Sequence, residues 1–265
     1  MPTPINLLFA LNAGYLMPMC VCIKSIMLSN PDEHFDIYVA HSSLEDADFE
    51  KIGESADMTR CNIIPIKVDR SVFEGQTFKK RISIETYYRL LAMDFLPRTL
   101  DRALYLDPDT VVINSLRGFY DLDFKGDLYA GSAHYGPAMW RFNRIRLFQK
   151  KTTVQVNAGV LLMNLTELRK RSSTKRVVDF LKNNKAYLFL ADQDTLNVLY
   201  GGEMLITDAR KYNLDERTYK KHSSEIDMEW VKKNTVIIHY NGRKKPWKEK
   251  YRGKLGQFYF DLVNN

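Results

Sequence analysis

Short apolar runs alternate with segments of helical periodicity along the first third of the chain. Ile5–Leu11 is a nearly continuous apolar run, which is typical of a strand buried on both faces. From about Met19 to Leu28 the apolar positions fit a helix, and Asn30-Pro31 ends it because proline disfavours the helical conformation of the preceding residue. The pattern then repeats as a strand at Phe35–Ala40, a helix from Leu44 to about Ser55 with Ser42 or Ser43 as its cap, and a strand at Cys61–Val68.

This order predicts an α/β fold with right-handed crossovers and a mainly parallel central sheet, in which ligands bind beyond the carboxyl ends of the strands. The later elements continue the alternation. They are a helix at Ser83–Phe95, a strand at Arg102–Leu106, an extended segment at Val111–Ile113, strands at Asp127–Ser132 and Gly159–Asn164, helices at Thr166–Asn183 and Asp192–Tyr200, a strand at Val236–Tyr240 and a helix at Leu255–Val263. No linker, charge block or low-complexity run divides the sequence, so residues 1–265 are expected to form a single domain.

The charge balance indicates an anionic ligand or surface. The 265 residues include 39 Lys and Arg against 32 Asp and Glu, which gives a formal charge of +7 at pH 7. The basic residues concentrate in Arg169–Arg176 and Arg243–Lys254. Neither cluster has the regular interleaving with aromatic residues that a single-stranded nucleic-acid platform shows, so nucleic acid is not expected as a partner.

The cysteines and the N-terminus predict the compartment. Cys20, Cys22 and Cys61 are an odd number without zinc-like spacing, and we interpret them as reduced core thiols of a cytoplasmic protein. The chain begins without the charged and apolar regions of a signal peptide, and nowhere do about 18 apolar residues follow one another. We therefore expect no transmembrane helix, and peripheral contact with the inner face of a membrane stays open.

The strongest chemical signal is the sequence LYLDPD at 104–109. Two carboxylates placed two residues apart at the end of a buried strand point to the same side of an extended chain, so Asp107 and Asp109 can share one cation. Pro108 fixes φ between them and stiffens the turn that presents both acids. The alternative is a plain Asp-Pro-Asp turn without a metal.

His239 follows the apolar residues Val236–Ile238 at the end of another expected strand. A neutral imidazole beside two carboxylates suits Mn²⁺, whereas Mg²⁺ prefers oxygen ligands throughout. Gly242 then allows a ligand to approach the backbone, and Lys245 offers charge to phosphate oxygens. A metal ligand next to such groups indicates a diphosphate; the alternative is a hydrogen-bonded structural histidine before a basic surface loop.

Four motifs, in order, give the chain a resemblance to a known family. They are LYLDPDTVV at 104–112, NAGVLLMNL at 157–165, ADQDTLN at 191–197 and HYNGRKKPW at 239–247. Together they resemble glycosyltransferase family 8, which includes bacterial lipopolysaccharide galactosyl- and glucosyltransferases, glycogenin and galactinol synthase. The resemblance implies the GT-A fold, with a single Rossmann-like nucleotide-binding domain. It also implies a retaining transferase that moves glucose or galactose from a UDP-sugar with Mn²⁺, or with Mg²⁺ in its place.

The resemblance assigns roles residue by residue. Asp107, Asp109 and His239 would bind the metal, and Asp192 and Gln193 would line the sugar pocket as candidate catalytic residues. The positions that would bind the donor are Ala10, Asn12, Tyr15, Arg89, Asp107, Pro108, Asp109, Asn157, Ala158, Gly242 and Lys245. Arg89 resembles an arginine that contacts phosphate and sugar.

Some of these residues also have plain structural explanations. Arg89 is compatible with an exposed helix charge, Asn157-Ala158-Gly159 with a turn, and Asp192 with a helix cap followed by an exposed Gln193. The chain also departs from the family pattern. Asn12 stands where relatives usually carry an acidic residue that contacts uracil or ribose, although an amide, which both donates and accepts, can still pair with uracil. His134 stands where relatives often carry an aspartate.

These observations predict hexose transfer to a glycan or lipid-linked saccharide, with acceptor contacts in Tyr135–Lys151 and Tyr212–Trp230. The cation would act as a Lewis acid on the leaving group, and Lys245 and Arg89 would neutralise the developing charge. Because glutamine is a poor nucleophile, a front-face route assisted by donor phosphate is favoured over attack by Gln193. The alternative functions are a nucleotidyltransferase and a sugar-nucleotide-binding module without turnover.

Overall fold

The structure is a computed structural model that describes residues 3–74, 83–133, 136–150, 153–184 and 188–264. Its strands are β1 (Ile5–Ala10), β2 (Phe35–His41), β3 (Cys61–Lys67), β4 (Arg102–Leu106), β5 (Thr110–Val112), β6 (Tyr129–Ser132), β7 (Val160–Asn164), β8 (Met204–Thr207) and β9 (Ile237–His239). Its helices are α1 (Leu16–Ser29), α2 (Asp46–Glu54), α3 (Ala92–Phe95), α4 (Arg117–Tyr120), α5 (Pro137–Arg146), α6 (Leu165–Arg171), α7 (Thr174–Asn184), α8 (Ala191–Tyr200), α9 (Ala209–Tyr212), α10 (Glu216–Lys221), α11 (Met228–Asn234) and α12 (Gly256–Asn264). Three 3₁₀ segments, Ala13–Tyr15, Arg70–Phe73 and Ile84–Leu91, complete the described elements.

Seven strands form one sheet in the order β3-β2-β1-β4-β7-β6-β8. Every neighbouring pair is parallel except the two pairs that include β7, so β7 alone among these seven described strands runs against the others. The prediction of a mainly parallel sheet is thereby confirmed. β5 and β9 pair antiparallel in a separate two-stranded sheet.

The apolar runs form strands because both of their faces are covered. All six residues of β1 are buried, and two apolar clusters pack on opposite faces of the sheet around alternate β1 residues such as Leu8 and Phe9. Cys20, Cys22 and Cys61 are all free and buried, as expected for core thiols. Among the described helices, none combines the length and apolar character needed to cross a bilayer.

Two helix boundaries differ from the prediction. Neither Ser42 nor Ser43 caps α2; Glu45 does, and its side chain and that of Asp48 each accept from the other residue's backbone N–H. The helix predicted at Thr166–Asn183 is two helices, because the chain is extended at Ser172 and restarts with α7.

Other elements were missed or differ in type. The segment predicted as a helix at Ser83–Phe95 is a 3₁₀ helix as far as Leu91, and the unassigned segment Trp140–Lys151 contributes most of α5. The edge strand β8 was missed. It is only four residues long and only its first residue, Met204, is buried, so its apolar run is too short to give a clear signal in the sequence.

The antiparallel course of β7 brings two loops together at one edge of the sheet. The residue before β7, Gly159, lies beside the residue after β4, Asp107, and the Asp107 N–H donates to the Gly159 carbonyl oxygen at 2.7 Å. Asn12 follows the carboxyl end of β1, the neighbour of β4 on its other side. The predicted site residues on these loops therefore lie at the edge of the sheet where parallel sheets bind ligands.

Candidate active site

Asp107 and Asp109 follow β4 directly and face the same cavity. The Tyr105 hydroxyl donates to Asp107 Oδ1 at 2.7 Å, and Thr110 Oγ1 donates to the Asp107 carbonyl oxygen at 2.9 Å. These bonds tie the turn to the strands before and after it. Two carboxylates are therefore presented by rigid backbone rather than by a flexible loop.

His239 reaches both carboxylates from β9, where it pairs with Thr110 of β5. Its Nε2 atom lies 3.2 Å from Asp109 Oδ1 and 3.6 Å from Asp107 Oδ2. One ligand atom from each of the three residues lies within 4.8 Å of the others. This spacing and the donor set of two carboxylates and one imidazole fit a single divalent cation.

Gly159 makes room for this cluster. A Cβ atom at this position would lie 2.2 Å from His239 Cε1 and 2.5 Å from Asp107 Oδ2. Both separations are far inside van der Waals contact, so a side chain here would displace a ligand. The glycine of the NAG motif is thus required by close approach and not by a left-handed turn.

Lys245 lies against the second carboxylate. Its Nζ atom contacts Asp109 Oδ2 and donates to the Tyr240 carbonyl oxygen at 2.7 Å. Burial by itself raises the pKa of Asp109, but His239 and Lys245 lower it below the ordinary value. Asp109 is therefore anionic, as a metal ligand must be. Gly242, the other residue predicted to hold phosphate, lines an adjoining cavity of about 600 Å³ that His239 also borders.

Arg89 is buried and is not the exposed helix charge that was the alternative. Its guanidinium lies 2.9 Å from Asp107 Oδ1 and 3.3 Å from Asp192 Oδ2, and it donates to the Ala158 carbonyl oxygen at 2.6 Å. It also stacks 4.4 Å from the centre of the Tyr105 ring. Arg89 therefore holds the metal-binding turn, the NAG loop and α8 in one arrangement.

A chain of side-chain hydrogen bonds joins the metal cluster to α8. His239 Nδ1 lies 2.9 Å from Asn213 Oδ1, and Asn213 Nδ2 donates to Asn157 Oδ1 at 3.1 Å. Asn157 Nδ2 in turn donates to Gln193 Oε1 at 3.1 Å. Because an amide oxygen accepts, Nδ1 of His239 carries the proton and Nε2 is left as the ligand atom.

Asn213 was missed by the sequence analysis, although it is fully buried and orients a predicted ligand. It precedes a single-residue bridge between Leu214 and Ile238, and its pairing with His239 is set by the tertiary fold. Gln193, which the family resemblance assigns to the sugar pocket, lies beside Asn157. Its oxygen also accepts from the Ala158 N–H at 3.2 Å, so it is not the exposed residue of the alternative explanation.

The other polar residues of the ADQDTLN motif anchor α8. Both carboxylate oxygens of Asp194 pair with Arg146, at 2.8 and 2.9 Å, and Oδ2 accepts from the N–H groups of Phe189 and Leu190. Asn197 bonds both backbone groups of Val156. Asp192 does not cap α8, since the N-cap residue is Leu190. The Asp192 side chain lines the cavity instead.

Burial in the cavity wall raises the pKa of Asp192 above that of an ordinary aspartate. Burial raises the pKa of its carboxyl to about 6, Arg89 opposes this shift and Asp107 adds to it. A folded-state pKa above the unfolded value means that the native carboxyl binds its proton more tightly. Ionisation of Asp192 therefore weakens the fold progressively as the pH rises from about 4 to about 6, and by a constant amount above that.

Replacing Asp192 with asparagine is accordingly expected to stabilise the fold at neutral pH. The gain in unfolding free energy is at most about 3 kcal/mol near pH 8 and shrinks towards pH 4.5, as urea denaturation at the two pH values measures. Asp194→Asn is the matched control: it breaks a buried pair and is expected to destabilise by about 3 kcal/mol or more. An Asp192→Asn protein less stable than the parent near pH 8 would contradict this account.

The far end of the cavity is lined by a second buried acid, Glu85. Asn12 Nδ2 donates to Ser83 Oγ at 3.1 Å and to Glu85 Oε2 at 3.4 Å, while Asn12 Oδ1 accepts from the Gly14 N–H at 3.0 Å. Ser42 Oγ donates to Glu85 Oε1 at 2.7 Å. Burial raises the pKa of Glu85, but hydrogen bonds from Ser83 and Ser42 outweigh it and lower the pKa. The sequence analysis missed Glu85. The signal that could have found it is a charged residue on the otherwise buried face of its helical segment.

One cavity of about 330 Å³ brings most predicted residues together. Those that line it are Ala10, Asn12, Tyr15, Arg89, Asp107, Pro108, Asp109, Asn157, Ala158, Asp192, Gln193 and His239. Lining residues that were not predicted include Glu85, Thr86, Leu190 and Asn241. His134 lies outside the described residues.

Comparison with known proteins gives consistent matches. The family model described as glycosyl transferase family 8 matches residues 6–251. The lipopolysaccharide 1,2-glucosyltransferase of Escherichia coli strain K12 is 28% identical over 92% of this chain and 72% of its own. The lipopolysaccharide 1,3-galactosyltransferase of Salmonella typhimurium is 24% identical over 98% of this chain and 78% of its own. The solved structure of the galactosyltransferase LgtC, in complex with donor and acceptor sugar analogs, has a TM-score of 0.86 at 25% identity and covers 98% of this chain and 95% of that one.

An α/β sheet with a metal-binding acidic pair at its carboxyl edge and a matching family model defines a glycosyltransferase, which takes a sugar-nucleotide donor and a saccharide acceptor. The chain belongs to glycosyltransferase family 8. Its fold is the GT-A fold, and the resemblance carried by the four motifs is confirmed.

Proposed function

We propose that this protein is a retaining, Mn²⁺-dependent hexosyltransferase, built as a single GT-A domain over residues 1–265. It moves glucose or galactose from a UDP-sugar to a glycan or lipid-linked saccharide. The observation that carries the proposal is the cluster of Asp107, Asp109 and His239 on the wall of a cavity that also holds Asp192 and Gln193. The lipopolysaccharide glucosyl- and galactosyltransferases among the relatives support the choice of sugar and acceptor.

At the metal end, Asp107, Asp109 and His239 hold the cation. The imidazole favours Mn²⁺ over Mg²⁺, although Mg²⁺ fits the two carboxylates. When bound, the cation supplies Lewis-acid stabilisation of the diphosphate leaving group. Lys245, which pairs with Asp109, and Gly242 would contact the diphosphate, and Arg89 joins the metal cluster to Asp192 of the sugar site.

At the sugar end, Asp192 supplies negative charge and Gln193 positions the sugar. The oxygen of Gln193 is already engaged by Asn157 and Ala158, which disfavours it as a nucleophile. The buried carboxylate of Asp192 lies 3.3 Å from Arg89 and is suited to stabilise positive charge that develops on the sugar ring. We therefore favour front-face transfer, in which the donor phosphate assists the acceptor hydroxyl.

At the nucleotide end, Glu85 orients Asn12 for uracil. Because a carboxylate accepts but cannot donate, Glu85 fixes the Asn12 amide with its oxygen away from the acid, next to the Gly14 N–H. That oxygen retains a lone pair for the N3–H of uracil, whereas N3 of cytosine is itself an acceptor. The acidic residue that relatives usually carry on the loop after β1 is thus replaced by Asn12 together with Glu85, which is far from it in the sequence but in contact with it.

Replacing Glu85 with glutamine is expected to weaken discrimination between UDP and CDP by about tenfold, because the Asn12 amide is then able to reverse. Calorimetric titration of both nucleotides with Mn²⁺ measures the ratio of affinities. Glu50→Gln, within α2 and away from the cavity, serves as the control and should leave the ratio unchanged. An unaltered ratio in Glu85→Gln would argue against this role for Asn12.

The acceptor side is proposed from charge and position. Of the segments expected to contact the acceptor, the structure describes 136–150 and 212–230, which include α5 and α10. A chain with a formal charge of +7 suits a cytoplasmic enzyme in peripheral contact with an anionic membrane leaflet. No nucleic-acid partner is proposed.

The function is tested by incubating the protein with UDP-glucose, UDP-galactose or UDP-N-acetylglucosamine and Mn²⁺, and measuring released UDP. We expect release from one of the two hexose donors, faster with a saccharide acceptor than with water. Binding of UDP-sugar without release would instead favour a binding module. Release of pyrophosphate from a nucleoside triphosphate and a sugar phosphate would favour a nucleotidyltransferase.

A further inference from the structure

The outward face of α5 carries three large apolar side chains. Met139, Phe142 and Ile145 are 50%, 55% and 64% exposed. They are spaced three residues apart on one side of the helix, while Asn143 and Leu147 on the other side are buried. α5 therefore has an apolar side that faces away from the core.

The backbone at the end of α5 presents another aromatic side chain. Phe148 has a φ of 52° and is 79% exposed. Its N–H donates to the Ile145 carbonyl oxygen at 3.2 Å and the Gln149 N–H to that of Arg144 at 2.9 Å, which is the usual closure of a helix at a left-handed residue. Glycine normally occupies this position, because the left-handed conformation is strained for a residue with a Cβ atom.

The same segment is positive and lacks acids. No Asp or Glu occurs in the sequence between Asp127 and Glu167, whereas Arg141, Arg144 and Lys150 fall within or just after α5. Arg141 and Lys150 are exposed. Within the α5 segment, the apolar side chains are thus interspersed with cations and not with acids.

Arg146 joins α5 to the exposed Phe189, next to the cavity residue Leu190. The guanidinium of Arg146 lies 4.5 Å from the centre of the Phe189 ring, and Phe189 and Leu190 are 54% and 46% exposed. Leu190 also lines the cavity that contains Asp192. We call this surface, formed by Met139, Phe142, Ile145, Phe148, Phe189 and Leu190 with the bordering cations, the α5 face.

We propose that the α5 face docks on an anionic phospholipid surface. Apolar side chains that enter the boundary between headgroups and acyl chains, bordered by cations that meet lipid phosphates, are the pattern that binds such surfaces. A second copy of this chain would instead bring like charges together, which opposes association. Docking here places Leu190 and the cavity next to the lipid, where a lipid-linked acceptor presents its saccharide. Docking by the α5 face assigns a surface to the peripheral membrane contact proposed above, and the approach of a lipid-linked acceptor rests on the proposed function.

The test is cosedimentation of the full chain with vesicles of phosphatidylcholine, with and without phosphatidylglycerol, in the absence of donor and metal. The parent protein is expected to sediment with the vesicles that contain phosphatidylglycerol, less so at high salt. With vesicles of phosphatidylcholine alone it is expected to remain in the supernatant. The double variant Phe142→Ser with Ile145→Ser should lose about tenfold or more in affinity. The control Leu28→Ser with Met58→Ser removes side chains of matching exposure, 65% and 55%, elsewhere on the surface and should bind like the parent.

Thermal unfolding establishes that both double variants fold. Absence of binding by the parent, or equal loss in the two double variants, would overturn the proposal. The proposal would also be overturned if light scattering without lipid showed a dimer of the parent and a monomer of the Phe142→Ser, Ile145→Ser variant. The α5 face would then be an interface between copies. UDP release, measured separately without vesicles, shows whether the proposed function holds, so either claim can fail without the other.

Discussion

An Asp109→Asn protein is expected to transfer sugar at least about a thousandfold more slowly than the parent at saturating donor. Asp109 supplies one of the three ligand atoms that can hold the cation, and its charge is maintained by His239 and Lys245. Asparagine has nearly the same shape but lacks the negative charge, so the loss falls on the transition state, where charge develops on the leaving diphosphate. The rate of UDP release at saturating donor and Mn²⁺ measures the effect.

Asp101→Asn is the matched control, because Asp101 lies just before β4 with its side chain 73% exposed and should be silent. Since Lys245 pairs with Asp109 in the interior, the Asp109→Asn protein is first compared with the parent by thermal unfolding. If it fails to fold, Asp107→Asn removes a ligand that is 22% exposed and pairs with Arg89 instead. Transfer at the parental rate by a folded Asp109→Asn protein would refute the metal assignment.

A Gly159→Ala protein is expected to lose about a hundredfold or more in transfer rate, although no functional group is removed. The added Cβ would overlap His239 Cε1 and Asp107 Oδ2, so one of the two ligands must leave its place. The expected signature is a large loss in Mn²⁺ affinity together with the loss in rate. Stability should also fall, by roughly 1–3 kcal/mol, because overpacking strains a buried site.

Gly53→Ala provides the comparison. A Cβ at Gly53, within α2, meets nothing within 4 Å, and alanine there is expected to leave transfer unchanged and to stabilise the helix by up to about 1 kcal/mol. Parental Mn²⁺ affinity in Gly159→Ala would mean that the ligands are not packed against this glycine as described.

The sequence was sufficient for features that local patterns determine. The runs Ile5–Leu11 and Arg102–Leu106 predict buried strands, and a parallel sheet places the loops after such strands at a ligand-binding edge. Asp107 and Asp109 could thus be found from their spacing and from the strand before them. His239 needed its neighbours and the family resemblance as well, because a single histidine at a strand end is ambiguous.

The missed residues act through tertiary contacts. Asn213 reaches His239 from a segment 26 residues away, and Glu85 reaches Asn12 across 73 residues. Neither pairing leaves a periodic or spacing signal. The role of Gly159 was likewise hidden, because its motif fits a turn, and the need for glycine follows from the antiparallel β7 that brings it to Asp107.

Helix boundaries failed for a similar reason. Ser42 is a good capping residue by type, but its hydroxyl donates to Glu85 and is used at the site instead. The break between α6 and α7 depends on Ser173, whose hydroxyl oxygen accepts from the Arg176 N–H and starts the second helix. In both cases a serine has several possible partners, and the fold selects among them.

We propose that Asp107, Asp109 and His239 hold a divalent cation that is shared with a nucleotide diphosphate. Titration of Mn²⁺ followed by electron paramagnetic resonance, with and without UDP, tests it most directly, since bound Mn²⁺ loses the signal of the free ion. We expect one site whose Mn²⁺ affinity rises by about tenfold or more when UDP is present, and the affinity for UDP to rise by the same factor when Mn²⁺ is present. Equal Mn²⁺ affinity with and without UDP would contradict it.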